Sequence, residues 1–304
     1  MGKKIIAVGE VLWDVLPEGS VVLGGTPTNL IFRSNSFGET GHLLSRIGDD
    51  KSGKEIIKRL NELGISDENI QIDSEFPTGT VNVTFNRNGD LIFELEQDVV
   101  AFDHIEFSPE ALKLARGADL LFFGLLPQRF GISKNTIKEL IKESPESLHF
   151  FDLKLFKQFF NKKVVKILLK YANIVRIKET DILFLAKELA IDTDSLEDFG
   201  MLLSNKFNID IVIITRGYKG VLAISKKEET LSVPGYLINA EDDIGSGMAF
   251  SAGFLHYYLN GKSIIESLHF GNAAGALNTT RIGGTEYFSK QDVLDFMEKI
   301  PQRL

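Results

Sequence analysis

Short apolar runs rich in β-branched and aromatic residues alternate along this chain with longer segments of helical period. The runs are KIIAVGE, DLLFFGLL, LHFFDLKL, ANIVRIKE and DIVIITRG, and an amphipathic stretch follows each of them. Strands that alternate with helices form βαβ units, whose parallel strands are buried on both faces of the sheet. The alternation therefore predicts an α/β protein with a mostly parallel central sheet flanked by helices.

Two segments interrupt this rhythm. The first is WDVLPEGSVVLGG near the start, and the second covers residues 78–100, where apolar and polar residues alternate around Asn88-Gly89. Asn-Gly between alternating residues is the strongest short hairpin signal. We expect the segments near 12–25 and 77–101 to form a small antiparallel β sheet, joined to the main body at two points and suited to act as a lid.

Composition and charge exclude several classes of protein. With 304 residues, 43% of them hydrophobic, the chain can bury a large core. A net charge of −8 with lysines interspersed among acids argues against a nucleic-acid partner. No apolar run approaches the ~20 residues that span a bilayer, so we expect no membrane partner. The absence of cysteine agrees with a reducing compartment, and we expect a cytoplasmic protein.

The C-terminal third is helical, and its motifs exclude some common phosphate-binding folds. We expect the helix after Gly247 to end at Asn260, and a capping box at residues 263–266 to open the next helix. The tripeptide GKS between these helices is not a phosphate loop, because His256 stands where that motif needs glycine. The chain also has no G-x-G-x-x-G after its first strand, no G-x-S-x-G, and no histidine pair at metal-binding spacing.

The stretch DDIGSGMAFSAGFL, residues 242–255, places two glycines around a serine just before an apolar run of helical character. Backbone amides at the start of a helix bind anions. Met248 stands in the first turn, yet a thioether neither takes nor gives a proton. Its side chain either fills a core beside Ala249 and Ala252 or forms one wall of a ligand pocket.

Two further glycine segments have ordinary alternatives. In GGTPTN, residues 24–29, two glycines precede a helical pattern, which indicates either a close approach of the backbone or a plain loop with proline in the first helical turn. TRGYKG, residues 215–220, follows one buried strand and leads into another. On its own it predicts a turn.

Taken in order, these motifs resemble the ribokinase/PfkB family of carbohydrate kinases. The likeness covers nearly the whole chain, and its early part is most similar to fructokinases. The motifs are Gly9-Glu10 to Asp14, Gly24-Gly25 with Asn29, Arg46-Ile47-Gly48-Asp49-Asp50 with Gly53, Pro77-Thr78-Gly79-Thr80, Thr215-x-Gly217-x-x-Gly220, and Asp242 with Gly245-Ser246-Gly247. The resemblance implies a single ribokinase-like domain over residues 1–304, with the small sheet as a lid over the sugar and as a dimer contact.

The resemblance also implies roles for particular residues, in a site where ATP and a sugar meet over the glycine loop. The positions that would bind the sugar are Asp14, Gly24, Gly25 and Asn29. Those beside the nucleotide are Thr215, Gly217 and Gly220, with Asn272 near the adenine. The anion hole would consist of Gly245, Ser246 and Gly247. The implied ligands are a small sugar and ATP with Mg²⁺, and in many relatives K⁺ beside the loop.

Three departures fall on the chemistry of that family. Met248 replaces the aspartate that accepts the proton of the sugar hydroxyl. Lys154 and Phe156 stand where the family has asparagine and arginine, and Lys178 and Asp181 where it has an asparagine and a glutamate that organise Mg²⁺. We expect Lys154 and Lys178 to lie on the nucleotide side and to bring positive charge toward a triphosphate, with Asp181 as the candidate metal residue.

Three hypotheses follow from these residues. The chain is an ATP-dependent, fructokinase-like carbohydrate kinase with impaired catalysis, or a catalytically inactive member that binds sugar or nucleotide as a sensor or partner subunit. A nucleoside or another small alcohol as acceptor also stays open, because the acceptor pocket is shared.

Overall fold

The computed structural model describes residues 2–85, 91–227 and 230–303. Its strands are β1 (Lys4–Val8), β2 (Leu12–Val15), β3 (Val21–Gly24), β4 (Thr40–Gly48), β5 (Ile70–Asp73), β6 (Thr80–Phe85), β7 (Leu91–Leu95), β8 (Leu120–Gly124), β9 (Leu148–Asp152), β10 (Ile174–Lys178), β11 (Ile211–Thr215), β12 (Val221–Ser225) and β13 (Leu231–Val233). Its α helices are α1 (Thr26–Ser36), α2 (Lys51–Glu62), α3 (Pro109–Arg116), α4 (Gly131–Glu143), α5 (Lys162–Leu169), α6 (Ile182–Leu189), α7 (Leu196–Phe207), α8 (Ser246–Leu259), α9 (Ile264–Thr279) and α10 (Lys290–Lys299).

The main sheet has nine strands in the order β13-β12-β11-β10-β9-β8-β1-β4-β5. Neighbouring strands from β11 to β5 pair in parallel. At the other edge, β12 pairs antiparallel with both β11 and β13. The five apolar runs of the sequence form β1, β8, β9, β10 and β11. The predicted α/β class and mostly parallel sheet are therefore confirmed.

Each central strand sends alternate side chains to opposite faces of this sheet. In β1, Ile5 and Ala7 pack under α1, α8, α9 and α10, whereas Ile6 and Val8 pack under α3 to α7. All four side chains are fully or almost fully buried. Two helical layers thus cover the sheet, as continuous apolar strands require.

The small sheet contains β3, β2, β6 and β7 in that order. The predicted hairpin is present as the antiparallel pair β6·β7, and the first segment forms a second antiparallel pair, β2·β3, although β2 and β6 pair in parallel. The small sheet expected from the two segments is therefore confirmed, but it is mixed, because its central pair is parallel. Between the two hairpins the chain returns to the main body through β4, α2 and β5, so β2 and β6 run in the same direction. The predicted Asn88-Gly89 turn lies outside the described residues.

One face of the small sheet packs onto the main body. Leu12, Val81 and Val83 share an apolar cluster with Phe156, which follows β9, and with Ile244, which precedes α8. Phe156 and Ile244 are both buried. The small sheet therefore rests directly on the loop that leads into α8.

Helices α8 and α9 form a close antiparallel pair at the C-terminal end of the chain. A Cβ atom on Gly253 would lie 3.0 Å from the Cα atom of Gly271, so the helices approach at backbone distance. Helix α8 is followed by Asn260, and Ser263 opens α9 with a capping box, both as predicted. Within the described ranges, no helix is long and apolar enough to cross a membrane.

Candidate functional site

The carboxyl ends of the parallel strands meet one edge of the main sheet, where α8 begins. The loop before α8 is fastened by Asp242, whose carboxylate accepts hydrogen bonds from the amides of Ile244 (2.8 Å) and Gly283 (2.7 Å). Gly245 then adopts a φ of +79°. A Cβ there would lie 2.3 Å from the Cα atom of Gly284, so this position requires glycine for both its conformation and its space.

The first turn of α8 leaves backbone donors free. The carbonyl of Gly245 accepts from the amides of Met248 and Ala249, both at 2.9 Å. The Ser246 hydroxyl donates to the Asp243 carbonyl at 2.8 Å. The amides of Gly245 and Gly247 have no acceptor among the residues that the structure describes. Free amides and the positive end of a helix dipole together suit an anion.

A buried ion pair supports this turn from beneath. Arg176 of β10 bonds Asp152 of β9 through Nε (2.8 Å) and Nη2 (2.7 Å), and the two side chains are 3% and 1% exposed. A Cβ on Gly247 would lie 2.8 Å from Nη1 of Arg176, so the guanidinium lies against the helix start. The sequence analysis missed Arg176; its signal was a charged residue inside the apolar run IVRIK.

Two lysines lie at the same edge of the sheet. Nζ of Lys154 is 4.0 Å from the ring centre of Phe93 in β7 and 5.2 Å from that of Phe156. Lys178 ends β10, and part of its side chain reaches solvent. The protein around it nevertheless removes much of its hydration, which lowers the pKa of Lys178. The nearby positive charges of Lys154 and Arg176 lower it further. Three cations are therefore gathered near the start of α8.

Asp181 is a carboxylate close to Lys178 and Arg176 of this cluster. Burial raises the pKa of its carboxyl, and Lys178 partly offsets that effect. Asp243 is also close enough to Lys178 to raise the lysine pKa. Among the described residues, no group of three or more His, Cys, Asp or Glu gathers that could hold a metal ion. A divalent cation here would therefore rely on Asp181, Asp243 and oxygens of its ligand.

The opposite wall carries two buried carboxylates from β2 and the loop after β1. Asp14 is 6% exposed and lies against Gly24, where a Cβ would stand 2.1 Å from its Oδ2. Burial raises the pKa of Asp14 to about 7; Lys154 opposes this, while Glu10 and Asp242 add to it. Glu10, whose pKa is also raised by burial, accepts from the Thr26 amide through Oε1 at 3.0 Å.

Asn29 joins this wall to the helix start. Its side chain is 7% exposed, and its Oδ1 has no hydrogen-bond partner within the described part of the chain. A Cβ on Gly284 would lie 2.6 Å from Nδ2 of Asn29, so Gly284 touches Asn29 on one side and Gly245 on the other. Gly25, at φ +106°, precedes α1; Pro27 lies in the first turn, and a Cβ on Gly25 would lie 2.4 Å from the Glu10 carbonyl oxygen, so both expected features are present. The structure thus brings Asp14, Gly24, Gly25 and Asn29 together beside the α8 loop.

The predicted nucleotide-side residues divide into two groups. Thr215 ends β11 and accepts from Nη1 of Arg176 at 3.4 Å, which places it near the α8 loop. Gly217 and Gly220 follow with positive φ, and a Cβ on Gly220 would lie 2.1 Å from the Val233 carbonyl. Asn272 instead donates to the Pro234 carbonyl at 2.9 Å, a bond that ties α9 to the end of β13.

Met248 is part of the hydrophobic core. It is 4% exposed and packs in the cluster that contains Ala249 and Ala252. The core interpretation of this residue is therefore the one that the structure shows. The helix start consequently offers amides and nearby cations, while its first turn offers no group that can accept a proton.

Comparison with known proteins gives consistent matches over almost the whole chain. The model of the pfkB family carbohydrate kinases matches residues 12–291. Fructokinase-2 of Solanum lycopersicum is 25% identical over 304 residues, which cover 92% of this chain and 91% of that protein. ATP-dependent 6-phosphofructokinase of Thermoanaerobacterium thermosaccharolyticum is 26% identical over 301 residues, covering 92% and 88%. The crystal structure of fructokinase with bound ATP from Xylella fastidiosa shares the fold, with a TM-score of 0.85 and 18% identity over 98% of this chain and 99% of that one.

Proposed function

Because the chain belongs to the pfkB family of carbohydrate kinases, we propose that it transfers the γ-phosphate of ATP to a sugar hydroxyl, as a fructokinase does, but slowly. The observation that carries this proposal is the start of α8. The amides of Gly245 and Gly247 are free of partners among the described residues, and the guanidinium of Arg176 lies against Gly247. Such an arrangement stabilises negative charge on a phosphoryl group in transfer.

The acceptor side supports a sugar. Asp14 and Asn29 are almost fully buried, and Oδ1 of Asn29 and Oε2 of Glu10 lack partners within the described ranges. A buried polar atom without a partner is costly, so such atoms mark places where a ligand completes the hydrogen bonding. Sugar hydroxyls both donate and accept, which matches these carboxylates and this amide.

The phosphate side supports a nucleotide. When bound, ATP supplies the phosphoryl group, and Mg²⁺ would neutralise part of its charge, with Asp181 and Asp243 as the nearby carboxylates. Lys154 and Lys178 hold positive charge in the same cleft and share that role. Thr215, Gly217 and Gly220 form the wall beyond them, and we place the rest of the nucleotide toward Asn272.

The expected rate follows from what is missing. A general base is worth roughly 10²- to 10⁴-fold in rate, whereas phosphoryl transfer depends mostly on positioning and charge neutralisation. Since Met248 cannot accept a proton, the sugar hydroxyl must lose its proton to water or to another group. We therefore expect slow turnover.

A second candidate function is binding without catalysis, as a sensor or partner subunit. The burial of Met248 in the core favours it, because the first turn of α8 then contributes backbone amides alone. The walls that would bind the sugar and the anion do not depend on this residue.

A coupled assay of ADP release, run with a panel of hexoses and nucleosides, tests the kinase proposal. Calorimetric titration of ATP and of each acceptor accompanies it. Slow turnover of one sugar supports the proposal, and turnover at about 1–100 s⁻¹, the ordinary range for kinases, contradicts impairment. Binding without turnover supports the second candidate, whereas binding of neither ligand contradicts both.

A further inference from the structure

Helix α1 carries a fully buried arginine that no role above explains. Arg33 is 0% exposed. It donates to the carbonyls of Phe288 (3.2 Å) and Glu286 (2.6 Å) and to Oδ1 of Asn278 (3.4 Å). Its guanidinium carbon stands 3.3 Å from the centre of the Phe288 ring. Burial lowers the pKa of Arg33 to about 9, so the side chain is still charged at neutral pH.

The three acceptors are neutral oxygens, so none of them offsets the free energy of burying the arginine's positive charge as a carboxylate would. A buried cation loses its hydration, and dipoles return only part of that energy. A methionine or leucine would fill similar space at lower cost. The planar fork of arginine can, however, hold several backbone carbonyls in fixed positions. These carbonyls belong to residues 280–289, which connect α9 to α10 without regular secondary structure.

That connecting segment contacts both walls of the candidate site. The Gly283 amide donates to Asp242 at 2.7 Å, and Gly284 lies between Gly245 and Asn29. Asn278, at the end of α9, donates to the Ile244 carbonyl at 2.9 Å while it accepts from Arg33. The contacts of Arg33 therefore lead to the anion-binding loop directly through Asn278, and to that loop and the sugar-side asparagine through the segment that holds Gly283 and Gly284.

We propose that Arg33 is a positioning residue, which holds segment 280–289 in the one arrangement that sets the Gly245–Gly247 loop and Asn29 for ligand binding. The inference rests on the proposed function only in taking that loop as the phosphate site. Arg33 is fully buried and acts in this proposal only through its contacts with the segment and with Asn278.

The test uses the full chain with Arg33→Ala and Arg33→Lys. Hydrogen exchange of the Ile244 and Gly283 amides, which both donate to Asp242 beside the loop, and the affinity for inorganic phosphate are measured for each variant. We expect exchange to quicken and phosphate affinity to fall, each by about 10-fold, a size typical of mutations that act through a packed network. Arg33→Lys keeps the charge without the planar fork and should show the same direction. If Arg33→Ala does not fold, Arg33→Lys carries the test.

A rescue experiment separates positioning from loss of stability. Arg33→Ala leaves a cavity lined by the same carbonyls, so guanidinium ion at millimolar concentration, too low to denature, should restore phosphate affinity and slow the exchange. Leu140→Ala, a core truncation in α4 on the opposite face of the sheet, is the matched control and should not respond.

Two results would overturn the proposal. One is a lower melting temperature in both Arg33 variants with unchanged exchange and phosphate affinity, since that describes a purely structural arginine. The other is equal rescue of Leu140→Ala. A wild-type protein without kinase activity contradicts the proposed function but not this inference, because neither readout uses turnover.

Discussion

Asp14 lies in the wall that we propose binds the sugar, and its buried carboxyl group is costly to ionise. Burial raises its pKa from 3.8 to about 7, so the folded state favours the protonated form. Its contribution to stability is fully present below pH 3.8 and is lost as the pH rises through about 7. The full difference corresponds to at most about 4 kcal/mol in the free energy of unfolding.

We therefore predict that Asp14→Asn removes a pH dependence. The free energy of unfolding of the variant minus that of the wild type should be larger at about pH 8 than at about pH 5. The reason is that only the wild type must ionise a buried carboxyl group as the pH rises. Urea unfolding at both pH values measures this, with Asp192→Asn, a change at an exposed carboxylate, as the control. An equal stability difference at the two pH values would show that Asp14 is hydrated.

Residue-scale prediction from sequence succeeded where a motif is local and failed where contacts are distant. The glycines of residues 242–247 came from a short pattern, whereas Asp14 was assigned through the family resemblance. The positions of Arg176 and Arg33 did not, since each depends on a partner brought by another element; Arg33 and Phe288 are 255 residues apart. A charge inside an apolar run indicates that a partner exists, but local periodicity cannot name it.

At the scale of elements, the loop before α8 should be intolerant of any side chain at Gly245. Gly245→Ala must strain a φ of +79° and also displace Gly284, whereas Gly261→Ala strains a φ of +81° in open space. We predict that both variants lose stability, by about 1–2 kcal/mol from backbone strain, and that Gly245→Ala alone loses phosphate binding. Urea unfolding and phosphate titration check this pair, and equal phosphate affinities would contradict the assigned role of the loop.

The small sheet shows why elements were easier to predict than their pairing. Alternation identified one of its hairpins, and hydrophobic runs identified five strands of the main sheet. The parallel pairing of β2 with β6 depends on the route of the chain through β4, α2 and β5, which no local pattern records. The relative direction of β2 and β6 could therefore not be predicted from the sequence.

At the scale of the whole molecule, the small sheet packs against Phe156 and Ile244 beside the candidate site, and we propose that it closes over the sugar as a lid. Trp13, the single tryptophan, lies in β2 and donates to the Ser52 carbonyl at 3.1 Å. We predict that a bound sugar changes Trp13 emission, with the midpoint that calorimetry gives for the same sugar. Asp14→Ala should abolish both signals. Calorimetric binding with unchanged emission would contradict a moving lid.

We propose that this chain keeps the binding architecture of a sugar kinase while Met248 removes the group that would accept the proton. The most direct measurement compares turnover of the best acceptor by the wild type, Met248→Asp and Met248→Asn, at a temperature where circular dichroism shows all three folded. Aspartate should raise kcat by about 10²-fold or more, and asparagine, of the same shape but not basic, should not. Equal rates for the two variants, or a wild type already at ordinary kinase rates, would contradict the account.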